Sequence, residues 1–98
     1  MQVRFEDPAL KRLEADPNFT NGMDSALVKA FRKRLQFIRA APDERAFYAM
    51  KSLHYEKLQG KRAGQRSMRL NEQWRLILRL EEDDSGKQVV IVSIADYH

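Results

Sequence analysis

Two histidines, His54 and His98, and no cysteine at all set narrow limits on the chemistry open to this 98-residue sequence. Without cysteine there is no disulfide framework, no thiolate nucleophile and no cysteine-ligated metal. No acidic cluster with metal-ligand spacing is present, so neither a catalytic zinc nor a two-metal site is expected, and no cofactor is implied. Gly60 and Gly64 are too few and wrongly spaced for a phosphate-cradling loop. Proton transfer and fixed positive charge remain. His98 ends the sequence within the run Asp96-Tyr97-His98. An imidazole, with an ordinary pKa of about 6.5, can move a proton near neutrality. Tyr97 can stack on a base or donate to a phosphate, and Asp96 can orient a neighbouring ring or cation. A terminal histidine can equally be an inert, frayed residue. The apolar strand leading into it argues for a terminus held in place.

The fixed charge is concentrated. The net charge is +4. The window Lys57–Arg79 holds seven basic residues (Lys57, Lys61, Arg62, Arg66, Arg69, Arg75, Arg79) against the single acid Glu72, a net of +6. The remainder has eleven basic and thirteen acidic residues, a net of −2. Such a distribution suits a polyanionic partner; the blander reading is a solvated surface.

Within that window the apolar period changes to two. Met68 and Leu70, then Trp74, Leu76, Leu78 and Leu80, alternate with Arg69, Arg75 and Arg79. If both strands bury one side, the three-residue connection Asn71-Glu72-Gln73 pairs Leu70 with Trp74, and therefore Arg69 with Arg75. Two arginines directly opposite repel by a few tenths of a kcal/mol or more. An anion between them relieves that repulsion, as would separate acidic neighbours such as Glu72 or Glu81. Arginine suits the first role, since its forked donors can hold phosphate oxygens as charge builds on them.

The elements that position these groups follow from pattern. Val3–Phe5 is expected as a short edge strand. Asp7-Pro8 reads as an N-cap with proline in the first helical position, opening a brief helix Pro8–Glu14. Asp24 or Ser25 starts the main helix, which runs to about Ala41 and stops at Pro42. Its stripe Leu27, Phe31, Leu35 and Ile38 marks one buried face. Ala46, Phe47, Met50 and Leu53 suggest a third helical piece. Val89–Ile94, apolar at nearly every position, is expected as a central strand buried on both faces, and Glu81–Lys87 as the turn before it. The expected architecture is α+β, a single domain over residues 1–98, with N-terminal helices on one face of a small antiparallel sheet. The sequence has no stretch suited to a signal peptide or a membrane span, so a cytoplasmic protein with no membrane partner is expected.

The segment YEKLQGKRAGQRSMRLNEQWRLILRL (Tyr55–Leu80), followed by a strand into DYH (Asp96–His98), resembles the HigB toxins of the RelE/ParE superfamily. That family pairs an aromatic-E-K-L-x-G start with G-x-x-S-[IM]-R-[IL]-N-x-x-[WY]-R and a terminal D-Y-H. The N-terminal half agrees only in length and helical character. The resemblance implies a RelE-like fold and ribosome-dependent cleavage of messenger RNA. It also implies a helix-turn-helix, HigA-like antitoxin as partner, with operator DNA contacted only through that antitoxin. Carried over residue by residue, Arg69 and Arg75 grip phosphate, while Tyr97 and His98 serve catalysis with Asp96 beside them. Lys57 and Lys61 are both candidates for the functional lysine, because Gln59 stands where relatives carry lysine before the glycine. Arg66 and Arg79 are further candidate phosphate ligands. Lys29, Arg32 and Lys33 are candidates for ribosomal RNA contacts, or simply a solvated helix face. The implied reaction needs no metal: the 2′-hydroxyl attacks the adjacent phosphate, leaving a 2′,3′-cyclic phosphate. The alternatives are a ParE-like DNA gyrase inhibitor and a non-catalytic basic RNA-binding module.

Overall fold

The computed structural model of the chain describes residues 1–96; Tyr97 and His98 lie outside the described residues. The first strand, β1 (Gln2–Phe5), leads into helix α1 (Pro8–Ala15). Asp7 caps that helix, accepting from the Ala9 N–H at 2.8 Å, and Pro8 sits at its start, where a missing N–H costs nothing. Helix α2 (Ser25–Ala40) follows. The Asp24 carbonyl accepts from Val28 N–H at 3.0 Å, but the Asp24 side chain makes no cap bond. The stripe Leu27, Phe31, Leu35 and Ile38 is buried as its spacing predicts, with Val28 beside it. The third helical piece divides in two. Helix α3 (Arg45–Ala49) stops at Met50, whose backbone is extended, and a single 3-10 turn covers Lys51–Leu53.

The sheet has five strands in the order β1-β5-β4-β3-β2. Their ranges are β2 Glu56–Lys57, β3 Arg66–Arg69, β4 Trp74–Asp83 and β5 Gly86–Asp96. Strands β2 to β5 are antiparallel throughout, and β1 joins the edge of β5 in parallel. A parallel neighbour needs a long crossover, which the helices supply. The middle strand is therefore β4, while β5 lies between β4 and β1. On β5, Val89, Val90 and Ile91 are buried as the apolar run requires, whereas Val92 to Ile94 are only half-buried. The register slips there: Ile77 pairs with Ser93 and Leu78 with Ile91, leaving Val92 as the extra residue of a bulge. The turn between β4 and β5 is tighter than the polar stretch Glu81–Lys87 suggests, because both strands extend into it as far as Asp83 and Gly86. Two-residue β2 carried no periodic signal.

Alternation sends Met68, Leu76, Leu78, Val89 and Ile91 into one core with the helices. Each such fully buried large apolar side chain stabilises the fold by about 1.5–3 kcal/mol. The opposite face of the sheet carries Ser67, Arg69, Arg75, Ile77 and Arg79, which alternate with those core residues. No helix among the described residues is long and apolar enough to cross a membrane.

Candidate functional site

The turn joining β3 and β4 is held by Asn71, whose Oδ1 accepts from the Gln73 and Trp74 N–H groups at 2.9 and 2.8 Å. This turn sets the register that the sequence predicts: Arg69 stands opposite Arg75, and Leu70 N–H donates to the Trp74 carbonyl at 2.9 Å. The two guanidiniums then part company. Arg69 bends to the turn, its Nε donating to the Asn71 carbonyl at 3.2 Å, and stays partly exposed. Arg75 leans the other way across β3 and is only 8% exposed. Its Nε donates to Ser67 Oγ at 2.9 Å and its Nη2 to the His54 carbonyl, with Glu56 Oε1 at 3.8 Å. The repulsion expected of the pair is relieved by divergence.

His54, given no role in the sequence analysis, is set beside Arg75 by the structure. It has φ 47° and ψ 47°, a left-handed conformation that costs a non-glycine residue of order 1–3 kcal/mol. Buried Leu53 and Tyr55 flank it while its own side chain is exposed. Backbone strain of this kind is held only where surroundings over-determine it, and the Arg75 bond is one such constraint. The single sequence-level hint is that histidine enters this region more readily than most residues.

The remaining predicted residues divide into two groups. Lys57 and Lys61 are exposed, with no carboxylate in ion-pair reach among the described residues. Asp96 lies opposite Trp74 at the end of β5, and its Oδ2 accepts from Gln73 Nε2 at 3.0 Å, so this strand end meets the β3–β4 turn. By contrast, Arg66 turns to the helix side and pairs with Glu44 at 2.9 Å. Arg79 is bound by two carboxylates, Glu6 and Glu81. Tyr97 and His98, the residues expected to transfer protons, lie outside the described residues.

Three more groups complete the surroundings. Tyr55 donates to Glu44 Oε2 at 2.7 Å, and burial, followed by the nearby carboxylate, drives its phenol pKa well above the ordinary tyrosine range. Arg34 on α2 donates through Nη2 to the Arg69 carbonyl at 2.7 Å, tying the helix to the end of β3. Burial lowers its pKa, and its Nε has no partner among the described residues. Arg32, a candidate for RNA contact, is instead committed to the α1–α2 connection, donating to the carbonyls of Leu13, Asp16 and Phe19. Lys29 and Lys33 on the same helix are exposed. Among the described residues no three of His, Asp and Glu stand together as metal ligands.

The geometry can thus offer anion-binding charge at Arg69 and the lysines, and one exposed imidazole on a strained turn. A sequence model of the RelE-like toxin of type II toxin-antitoxin system HigB matches residues 3–98. No curated protein sequence matches the chain. Among solved structures, the YoeB/ParE toxin from Agrobacterium tumefaciens superposes with a TM-score of 0.62 at 16% identity, covering 100% of both chains. The YoeB–YefM complex from Staphylococcus aureus gives 0.60 at 21% identity, over 100% of this chain and 97% of that one. YafQ from Escherichia coli strain BL21(DE3) gives 0.58 at 14% identity, over 98% and 92%. At these identities the likeness is one of fold.

Proposed function

The chain belongs to the RelE-like HigB toxins of type II toxin-antitoxin systems, and from that premise we propose that it is an endoribonuclease that cuts messenger RNA on the 70S ribosome. The observation that carries this reading is the outer sheet face at the β3–β4 turn, where Arg69, Arg75 and His54 are linked by one register and one hydrogen bond. The strand that ends in Asp96 borders the same turn. Tyr97 and His98 follow Asp96 directly in the sequence.

In this reading Arg69 and one of Lys57 and Lys61 hold phosphate oxygens, with the charge of Arg75 behind them. Arg66 and Arg79, already neutralised by carboxylates, contribute less. The substrate 2′-oxygen attacks the adjacent phosphorus in line. Its proton passes to a base drawn from His98, Tyr97 and His54, while the departing 5′-oxygen takes a proton from another of them. The bond from phosphorus to the 5′-oxygen breaks, leaving a 2′,3′-cyclic phosphate and a free 5′-hydroxyl. The positive face stabilises the charge that builds on the phosphorane oxygens. A ribosome that aligns the strand supplies orientation that so small a site does not provide alone. A helix-turn-helix, HigA-like antitoxin restrains the toxin and carries the pair to operator DNA, and the setting is the cytoplasm. The Staphylococcus aureus YoeB, solved with YefM, supports an antitoxin partner by fold analogy.

The test is cleavage of a defined messenger RNA with and without ribosomes. Wild type is expected to cut only with ribosomes present, and His98→Ala and Arg75→Ala to lose cutting by at least about a hundredfold. Undiminished cleavage by both variants would remove the assignment. Inhibition of DNA gyrase without RNA cleavage, or RNA binding alone, would replace it with another.

A further inference from the structure

Arg75 is the more buried arginine of the opposed pair, and its bonds are those of a residue that organises a loop. Its Nε edge is held by Ser67 Oγ at 2.9 Å. Its Nη2 reaches the His54 carbonyl, with the Ser67 carbonyl at 3.5 Å and Glu56 Oε1 at 3.8 Å. These contacts come from two neighbouring strands and the turn before them: Ser67 lies on β3, Glu56 directly opposite it on β2, and His54 two residues earlier. The Glu56 side chain is about half exposed, so its carboxylate sits at the rim of the arrangement, with the guanidinium beneath. A guanidinium only 8% exposed presents little surface to a phosphate. Through the His54 carbonyl it restrains the one left-handed histidine among the described residues.

We propose that Arg75 is a positioning residue for His54: the guanidinium, itself oriented by Ser67 and Glu56, holds residue 54 in its left-handed turn and so fixes where the exposed imidazole stands. In this arrangement Arg69 is the phosphate ligand of the opposed pair, and Arg75 acts on the reaction through His54. The kinetic consequences rest on the ribonuclease reading; the conformational one does not.

The experiment therefore has two arms, run on the full chain with Arg75→Lys and Glu56→Gln, and with Arg69→Lys as the comparison. Lysine keeps charge and reach at position 75 but lacks the fork needed to hold Ser67 and His54 together. Glu56→Gln alters only a half-exposed rim group. In the first arm, backbone and imidazole NMR shifts of His54 are followed without RNA. They are expected to leave their wild-type values in Arg75→Lys, to move in the same direction and less far in Glu56→Gln, and to stay in place in Arg69→Lys. Unchanged His54 shifts in Arg75→Lys overturn the proposal, whatever the activity of the protein. In the second arm, ribosome-dependent cleavage is expected to show kcat reduced about tenfold or more in Arg75→Lys. KM and the salt dependence of KM should remain within about twofold of wild type, since no phosphate contact is lost. A raised KM with unchanged kcat in Arg75→Lys, or tighter RNA binding with unchanged kcat in Glu56→Gln, identifies Arg75 as a direct phosphate ligand and overturns the positioning role. A wild type that cleaves no RNA under any condition defeats the ribonuclease reading, while the NMR arm still decides whether Arg75 sets the conformation of His54.

Discussion

Arg75 and Arg79 stand four residues apart on the same strand and project from the same face of the sheet, yet they meet opposite electrostatic fates. Arg79 is bound to Glu6 and Glu81, and Glu81 also pairs with Arg4, so that end of β4 is closed by carboxylates. Among the described residues, Arg75 donates to the Ser67 hydroxyl and the His54 carbonyl and pairs with the Glu56 carboxylate at 3.8 Å. A carboxylate at contact distance cancels most of the pull of a guanidinium on another anion, whereas neutral acceptors orient it and leave its charge. The basic window is thus divided: its far end is closed by carboxylates, while the end at the β3–β4 turn sets the partly exposed Arg69 opposite Arg75. Arg66 repeats the closed pattern on the helix side through Glu44.

The largest effect that can break this comparison is on activity. Arg75→Ala is expected to lower ribosome-dependent cleavage by about a hundredfold or more, while Arg79→Ala changes it by less than about threefold. Equal losses in a cleavage assay would erase the distinction between the two ends. Next in size is Arg69→Ala. Its guanidinium is partly exposed and, among the described residues, bonded to a turn carbonyl. We expect KM for RNA to rise about tenfold and the slope of log affinity against log salt to fall by about one. A salt titration of RNA binding checks this, and an unchanged slope would deny Arg69 a phosphate contact.

A smaller, opposite effect sharpens the point. Glu6→Gln combined with Glu81→Gln frees Arg79 and Arg4, and should strengthen non-specific RNA binding a few-fold at low salt without raising cleavage. RNA binding that stays at the wild-type level would mean that the carboxylates are not what closes this end.

The smallest effect concerns the Glu44 group. Glu44→Gln weakens the bonds to Arg66 and Tyr55 and should cost about 1–2 kcal/mol of stability in denaturant unfolding, with cleavage intact. Tyr55 adds a pH signature. Its phenol pKa is raised in the folded chain above its unfolded value of about 10. The stability this contributes is complete below about pH 10 and is lost as pH rises beyond it towards the folded-state value. Tyr55→Phe should therefore flatten the alkaline fall in stability, and identical pH–stability curves for the two proteins would contradict the buried, protonated phenol.

Much of the scaffold was legible in the residues. The stripe on α2 and the start of α1 at Asp7-Pro8 are readable because helical burial and capping are local properties. The Arg69–Arg75 pairing follows from alternation and the length of one turn. The position of β5 was less legible, since an apolar run shows that a strand is flanked and buried but not how many strands lie beyond it. Its parallel partner β1 is more than eighty residues away in the chain. Arg32 and Arg34 sit on one helix among other basic residues, and nothing in their spacing tells that one closes the end of α1 while the other fastens β3.

Local periodicity alone determined the buried helix face, the hairpin register and the concentration of positive charge between Lys57 and Arg79, because each depends on neighbours within a few residues. Only the tertiary structure decided which of those charges stay available. Arg79 is neutralised by a glutamate 73 residues distant and Arg66 by one 22 residues distant, and His54 is fixed by an arginine 21 residues on. Ion pairing and backbone strain are settled by groups that meet only when the sheet is assembled, and along the unfolded chain those groups are indistinguishable from their neighbours.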